Sequence, residues 1–267
     1  MINLEQLNKA WAKTLRDHAV APLEGRDGPY RAIGGKSLAF LDALWKARKG
    51  PLPDIGAMIE AGRTVRFWSD PHFEHDNIRR LADRNAFLSV EDMDRVLWAN
   101  LEEAMAQSDF VVCLGDMALK NPLMHQRRIA SAFGGKQLPL VGNHDTKGAK
   151  PEAWAAAGAA ASLAFSLPLD LLQSWITGDH AEMAGLVDWK RLPGRVNFGC
   201  SHWPVPAERM PGGAWVNLHG HIHNARREDR RLGPLGVNCS VEAIDYRPKT
   251  LRELLTPELF DNLVRFR

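Results

Sequence analysis

With 267 residues, 45% of them hydrophobic and 25% charged, the chain has the make-up of a soluble globular protein, large enough for one core with an appended subdomain, and disorder as its main state is excluded. Lys and Arg number 34 against 32 Asp and Glu, a formal charge of +2, so no bulk positive field marks a general binder of nucleic acid or membrane surfaces. Cys113, Cys200 and Cys239 are far apart and lack CxxC spacing, which argues against a disulfide framework or a thiolate zinc site and for buried thiols in a reducing compartment.

The opening, Met1 to Gln6, is too polar for a signal peptide, so the expected location is cytoplasmic. Apolar residues recur at helical spacing over 3–20 (Leu4, Leu7, Trp11, Leu15) and 37–49 (Leu38, Leu41, Leu44, Trp45), with a turn at Gly25–Pro29 between them. Gly50-Pro51-Leu52-Pro53 closes the second helix, so residues 1–62 read as a helical N-terminal extension and 63–267 as the main domain. Thr64 to Trp68 has strand character. Helices near 89–106, 122–133 and 151–161 then alternate with strands at 110–114 and 137–141, which predicts an α/β architecture with parallel strands. The least polar window, 153–172, is broken by Gly158, Pro168 and Asp170 and is rejected as a membrane span. Residues 168–194 lack a clear period and are expected as an insertion, shaping a pocket or running over the surface. Strands at 196–201, 214–218 and 236–241, with little helix between them, predict a second, partly antiparallel sheet.

Five of these strands end in residues that favour metals: Asp70-Pro71-His72, Gly115-Asp116, Gly142-Asn143-His144-Asp145, Ser201-His202 and His219-Gly220-His221-Ile222-His223. Ligand sites in open α/β sheets form beyond the carboxyl ends of strands, so such clusters converge. Asp70 and His72, one residue apart, would point to the same side if the segment were extended. Asp70, His72, Asp116, Asn143, His202, His221 and His223 together are too many for one tetrahedral zinc, and two ions sharing Asp116 fit better. Nitrogen and oxygen donors without thiolate suit two divalent transition-metal ions, manganese first and iron, zinc or nickel next. Two such ions ~3.5–4 Å apart clamp a phosphoryl group and generate hydroxide near neutral pH, which is hydrolysis chemistry.

In this order, Asp70-x-His72, Gly115-Asp116, Gly142-Asn143-His144-Asp145, His202 and Gly220-His221-Ile222-His223 resemble the calcineurin-like metallophosphoesterases over roughly residues 64–250. The run Asp70-Pro71-His72-Phe73-Glu74-His75 is similar to the opening of small bacterial and phage members. The resemblance implies a four-layer αββα sandwich, with residues 63–267 as its metallophosphoesterase domain. It implies one ion on Asp70, His72 and His223, a second on Asn143, His202 and His221, and Asp116 bridging them. It also implies a hydroxide held by both ions as attacking group, His144 as the catalytic group beside the departing oxygen, and Asp145 orienting its ring. Met117-Ala118-Leu119-Lys120-Asn121 lacks the Asp-Arg-Gly continuation of the protein Ser/Thr phosphatases, and Asp145 stands where that branch has Glu, which disfavours a protein substrate. The expected function is therefore a metal-dependent phosphoesterase acting on a phosphodiester or nucleotide-type substrate. The rivals are a DNA or RNA nuclease on the same fold and a catalytically silent metal-bearing scaffold. A nucleic-acid partner is not favoured by the charge, and no membrane partner is expected.

Other residues read more plainly. His75 and Asn77 suit either phosphate or ligand support, or helix capping, and His219 reads as ligand support or core rather than as a ligand. His18, His125 and His180 are expected at the surface, and Arg79-Arg80, Arg127-Arg128 and Arg226-Arg227-Arg230-Arg231 as solvated charge in preference to contacts with phosphate or nucleic acid. Trp68 and Trp203 suit a stacked base and simple packing equally well.

Overall fold

Hydrophobic runs too short for helices and bounded by turns become the strands of two sheets in the computed structural model, which describes residues 3–20, 33–224 and 234–266. The turn at 25–29 and the arginines at 226–231 lie outside the described residues. The first sheet comprises β1 (Val65–Trp68), β2 (Phe110–Cys113), β3 (Gln137–Pro139) and β8 (Lys249–Thr250), in the order β3-β2-β1-β8. Its first three strands run parallel, and β8 pairs antiparallel with β1. The second comprises β4 (Leu163–Pro168), β5 (Arg195–Cys200), β6 (Trp215–His219) and β7 (Gly236–Asn238), in that order, with β4 antiparallel and the others parallel. Both sheets feed one hydrophobic core. Phe67 of β1 stacks on Phe165 of β4 at 6.1 Å, and Phe165 on Phe198 of β5 at 5.1 Å.

Helices α5 (Val90–Ala106), α6 (Pro122–Ala132) and α7 (Pro151–Ala156) punctuate the strands. Ser89 caps α5 by accepting the Asp92 N–H at 3.1 Å, and Pro122 and Pro151 open α6 and α7 at the position where a missing N–H costs nothing. The expected helix over 151–161 stops at Ala156, because Gly158 turns the chain with φ +83°.

The strand β4 has no counterpart in the sequence reading. Its first five residues are buried whichever way they face, so the alternation that betrays a strand is missing. It leads into α8 (Leu169–Asp179), which buries Leu172 and Ile176, so the stretch expected as an irregular insertion over 168–194 begins with a core helix. At the C-terminus α9 (Leu251–Leu254) and α10 (Pro257–Arg265) follow, α10 burying Leu259, Phe260, Leu263 and Val264 along one stripe. The short α3 (Ile55–Glu60) and α4 (Asp76–Leu81) complete the helices named here. None of the described helices is long and apolar enough to cross a membrane.

The first two helices, α1 (Leu4–Val20) and α2 (Gly35–Ala47), dock on the rest of the chain through specific contacts. Trp11 stacks on Trp215 at 5.6 Å and its indole N–H donates to the Cys200 carbonyl at 3.1 Å. Asn8 pairs with the backbone of Ala164 in both directions, at 2.7 and 3.1 Å, filling the free edge of β4. Arg48, at the end of α2, donates to the carbonyls of Gly158 and Ala159 at 2.7 and 3.0 Å.

His18 and His125, expected at the surface, are buried; His180 is half-buried. Both buried rings lie on the apolar side of amphipathic helices, where an imidazole passes for a hydrophobe. Burial, then the nearby Arg209 charge, lowers His18 from its ordinary 6.5 to about 4. The unfolded chain therefore binds this proton more tightly than the folded one. The neutral ring favours folding above pH 6.5, and that stability is lost as pH falls through about 4. Urea melts between pH 7.5 and 4.5 should show up to about 3 kcal/mol of loss from this group, and His18→Gln should flatten the slope.

Candidate metal centre

The carboxyl ends of β1, β2, β3, β5 and β6 meet at one place, and the ladder that joins them continues past the strands. Asp70 N donates to Gly115 O at 3.0 Å, His72 N to Asp116 O at 3.2 Å and Phe73 N to Met117 O at 3.0 Å. The sheets are sutured beside it, where Ser69 bridges to Ser240. Asp70 and His72 do converge, but not as alternate residues of an extended strand: their φ angles are +58° and +53°, a left-handed conformation at each. Asp116, His221 and His223 are also left-handed, at +53°, +74° and +48°. Such a conformation strains a residue with a Cβ, at about 1–3 kcal/mol each, and persists where the surroundings hold it for a function.

Close approach is made by glycine. A Cβ at Gly115, which has φ +107°, would lie 2.5 Å from the Gly142 nitrogen, so the loops carrying Asp116 and Asn143 meet there backbone to backbone. A Cβ at Gly220 would strike the side chains of Ser69 and Asp70.

All seven expected ligands arrive at this place. His72 Nε2 lies 3.7 Å from Asp70 Oδ1, which in turn lies 3.9 Å from His223 Nε2. On the other side His202 Nε2 lies 3.0 Å from Asn143 Oδ1 and 3.2 Å from His221 Nδ1. Asp116 Oδ2 stands between, 3.6 Å from His72 Nε2 and 3.3 Å from His202 Nε2. Three groups, Asp70-His72-His223, His72-Asp116-His144 and Asp70-Asp116-His202, each have donor atoms within 4.8 Å of one another and could hold a metal ion.

Buried Asp70 Oδ1 and His72 Nε2 have no hydrogen-bond partner, although they face one another across the cluster. Uncompensated groups of this kind are costly, and a cation satisfies them. Burial would lower His202, but the charges of Asp116 and Asp70 outweigh it and hold the imidazole at about 9. Burial would likewise raise Asp116, yet His202 and His72 bring it below the carboxylate range. Protonated His202 is thus one positive charge set among the buried carboxylates. The His202 Nδ1 donates to the Leu114 carbonyl at 3.1 Å, so Nε2 is the atom turned to Asp116, and it carries the second proton of the imidazolium, which a bound cation would displace. Burial first, then His202, lowers His221 to about 3, so it stays neutral as a ligand must. On the chemistry of the donors the residues fit cations bound through nitrogen and oxygen.

Asp145 does not orient the His144 ring. Its carboxylate accepts backbone N–H bonds from Asp116 at 2.7 Å, Met117 at 3.0 Å and Gly142 at 2.9 Å, clamping two ligand loops together. Among the described residues none bonds to His144 Nδ1. Adjacency in sequence misled here, because backbone N–H groups of two loops occupy the Asp145 carboxylate. His144 itself is half-buried, its Nε2 4.0 Å from Asp116 Oδ2.

Several supporting residues have no sequence signal. Arg84, fully buried, donates to the carbonyls of Asp70 and Pro71 at 2.7 and 2.8 Å and from Nε to Glu242 Oε1 at 2.7 Å. The same Glu242 oxygen lies 3.0 Å from His223 Nδ1. Burial would push Glu242 up, but His223 and Arg84 hold it below its ordinary value. A charged Glu242 keeps the proton of His223 on Nδ1 and frees Nε2 to ligate. Ser240 donates to Asp70 Oδ2 at 3.0 Å, as does His221 N at 2.9 Å. His75 does not cap α4 and lies 3.4 Å from His72 Nδ1, a supporting place, whereas Asn77 is exposed. His219 is core, its Nδ1 on Gly220 O at 3.0 Å. Trp68 and Trp203 are buried packing, Trp203 edge-on to His202 at 5.0 Å. Glu242→Gln should weaken binding of divalent metal by about 10–100-fold, read by titration at a temperature where circular dichroism shows both proteins folded.

No protein-family model matches the chain. The chain is similar to a protein of Methanocaldococcus jannaschii named "Uncharacterized protein MJ1445", with 26% identity over 193 residues, 71% of this chain and 88% of the archaeal one.

Proposed function

We propose that the chain is a metal-dependent phosphoesterase of the calcineurin-like kind, on an αββα arrangement of its two sheets, acting on a phosphodiester or nucleotide-type substrate. The observation that carries this reading is the place of Asp116, whose Oδ2 lies within 3.6 Å of a donor from each half of the cluster. Asp70, His72 and His223 would hold one divalent ion, Asn143, His202 and His221 a second, and Asp116 both. Manganese is the first candidate, with iron, zinc or nickel next. Two ions so held would polarise the phosphoryl group and lower the pKa of water.

The chain's own residues supply the rest. The left-handed turns at Asp70, His72 and Asp116 hold the donors in place before anything binds. His144 stands at the open rim of the cluster, where it would give a proton to the departing oxygen. Trp68 and Phe73, both buried, pack edge-on at 6.3 Å on either side of the Asp70–His72 segment in sequence. Metal analysis of purified protein should find about two ions per chain, and turnover of a bis-aryl phosphodiester should require them. Full turnover in chelator-stripped protein would end the reading.

A further inference from the structure

A groove of about 380 Å³ lies between the segment that enters α6 and the segment after His144. Both walls are continuations of loops that carry Asp116 and Asn143. A bond of 3.2 Å from Lys147 N to His144 O ties the groove rim to the residue assigned to the departing oxygen. The groove is lined by Leu119, Leu123 and Met124, and Met124 is 52% exposed. Arg127 and Lys147 also line it, both exposed and neither in an ion pair among the described residues. Asn121, at the start of α6, makes no side-chain capping bond and leaves its carboxamide to the groove.

An apolar surface beside two unneutralised cations fits an anion that carries a ring. Guanidinium and ammonium groups bind phosphate oxygens. The apolar side chains suit the face of a base, and the carboxamide suits its hydrogen-bonding edge better than it suits a plain hydrocarbon. We propose that this groove holds the leaving group of the substrate and that this group is a nucleoside phosphate. The base lies on Leu119, Leu123 and Met124, and its phosphate lies between Arg127 and Lys147. The assignment rests on the phosphoesterase reading. In the reaction the oxygen of water bonds to phosphorus, the P–O bond to the leaving group breaks with its electron pair, and the leaving oxygen takes up a proton. The nucleoside phosphate then departs along the groove.

Titration calorimetry with AMP, adenosine and inorganic phosphate on chelator-treated protein reads the groove without turnover. AMP should bind about tenfold more tightly than either fragment, and the Arg127→Ala, Lys147→Ala double variant should lose about tenfold. Leu123→Asp should weaken AMP similarly, by placing a like charge in the groove. The double variant should keep the melting curve and metal content of the wild type, since both side chains are exposed. AMP binding equal in the double variant and the wild type overturns the proposal, as does AMP no tighter than phosphate. An oligothymidylate held more tightly than AMP through the same two cations overturns it in favour of a strand. Failure of the phosphoesterase reading looks different: the metal-loaded protein would show no turnover while AMP still bound.

Discussion

Asp116→Ala should cut metal-dependent phosphodiester hydrolysis by about a thousandfold or more, the equivalent of several kcal/mol of charge stabilisation. Its Oδ2 is shared between His72 and His202, at 3.6 and 3.3 Å, so no neighbour can replace it on both sides. Its Oδ1 also accepts the His144 N–H at 2.8 Å, and the alanine variant loses that anchor too. Asp116→Asn separates the two contributions, because the amide oxygen can still accept the N–H while the charge is gone. The asparagine variant should keep the wild-type melting curve yet bind fewer than two ions per chain by elemental analysis. Two ions retained in the alanine variant, with turnover near wild type, would remove Asp116 from the bridge.

The candidate ligands were legible because each stood at a strand end, and strand ends can be read from β-branched and aromatic runs such as Val65 to Trp68 and Phe110 to Cys113. What holds the ligands was not. Arg84 and Glu242 are separated by 158 residues and come together only through the packing of α4 and the loop after β7. A lone arginine in sequence looks like surface charge. The left-handed turns were equally hidden, since Asp and His at positive φ leave no trace in composition. The buried strand β4 escaped for the reason that makes it stable: α1 covers the face that would otherwise alternate with polar residues. Asp145 was visible as a residue and misread as a role, because three backbone N–H groups compete for its carboxylate and satisfy it before the imidazole can.

That geometry sharpens what His144→Ala should do. The imidazole is positioned by rings rather than by a carboxylate, edge-on to His72 at 5.0 Å and tilted against His75 at 5.9 Å. If it protonates the departing oxygen, its removal should cost about 10²–10⁴-fold on alkyl leaving groups, and much less on nitrophenyl ones, which leave without help. Burial first, then His72 and Lys147 against the opposing pull of Asp116, lowers its proton affinity, so the rate on poor leaving groups should fall as pH rises from the acid side. Asp145→Asn should behave differently. An amide offers one oxygen where three N–H groups now converge, so the Asp116 and Gly142 loops separate and metal affinity drops, with losses similar for good and poor leaving groups. Equal losses on both substrate types in His144→Ala would take the proton-donor role from that residue, and a steep leaving-group dependence in Asp145→Asn would restore the carboxylate as its partner.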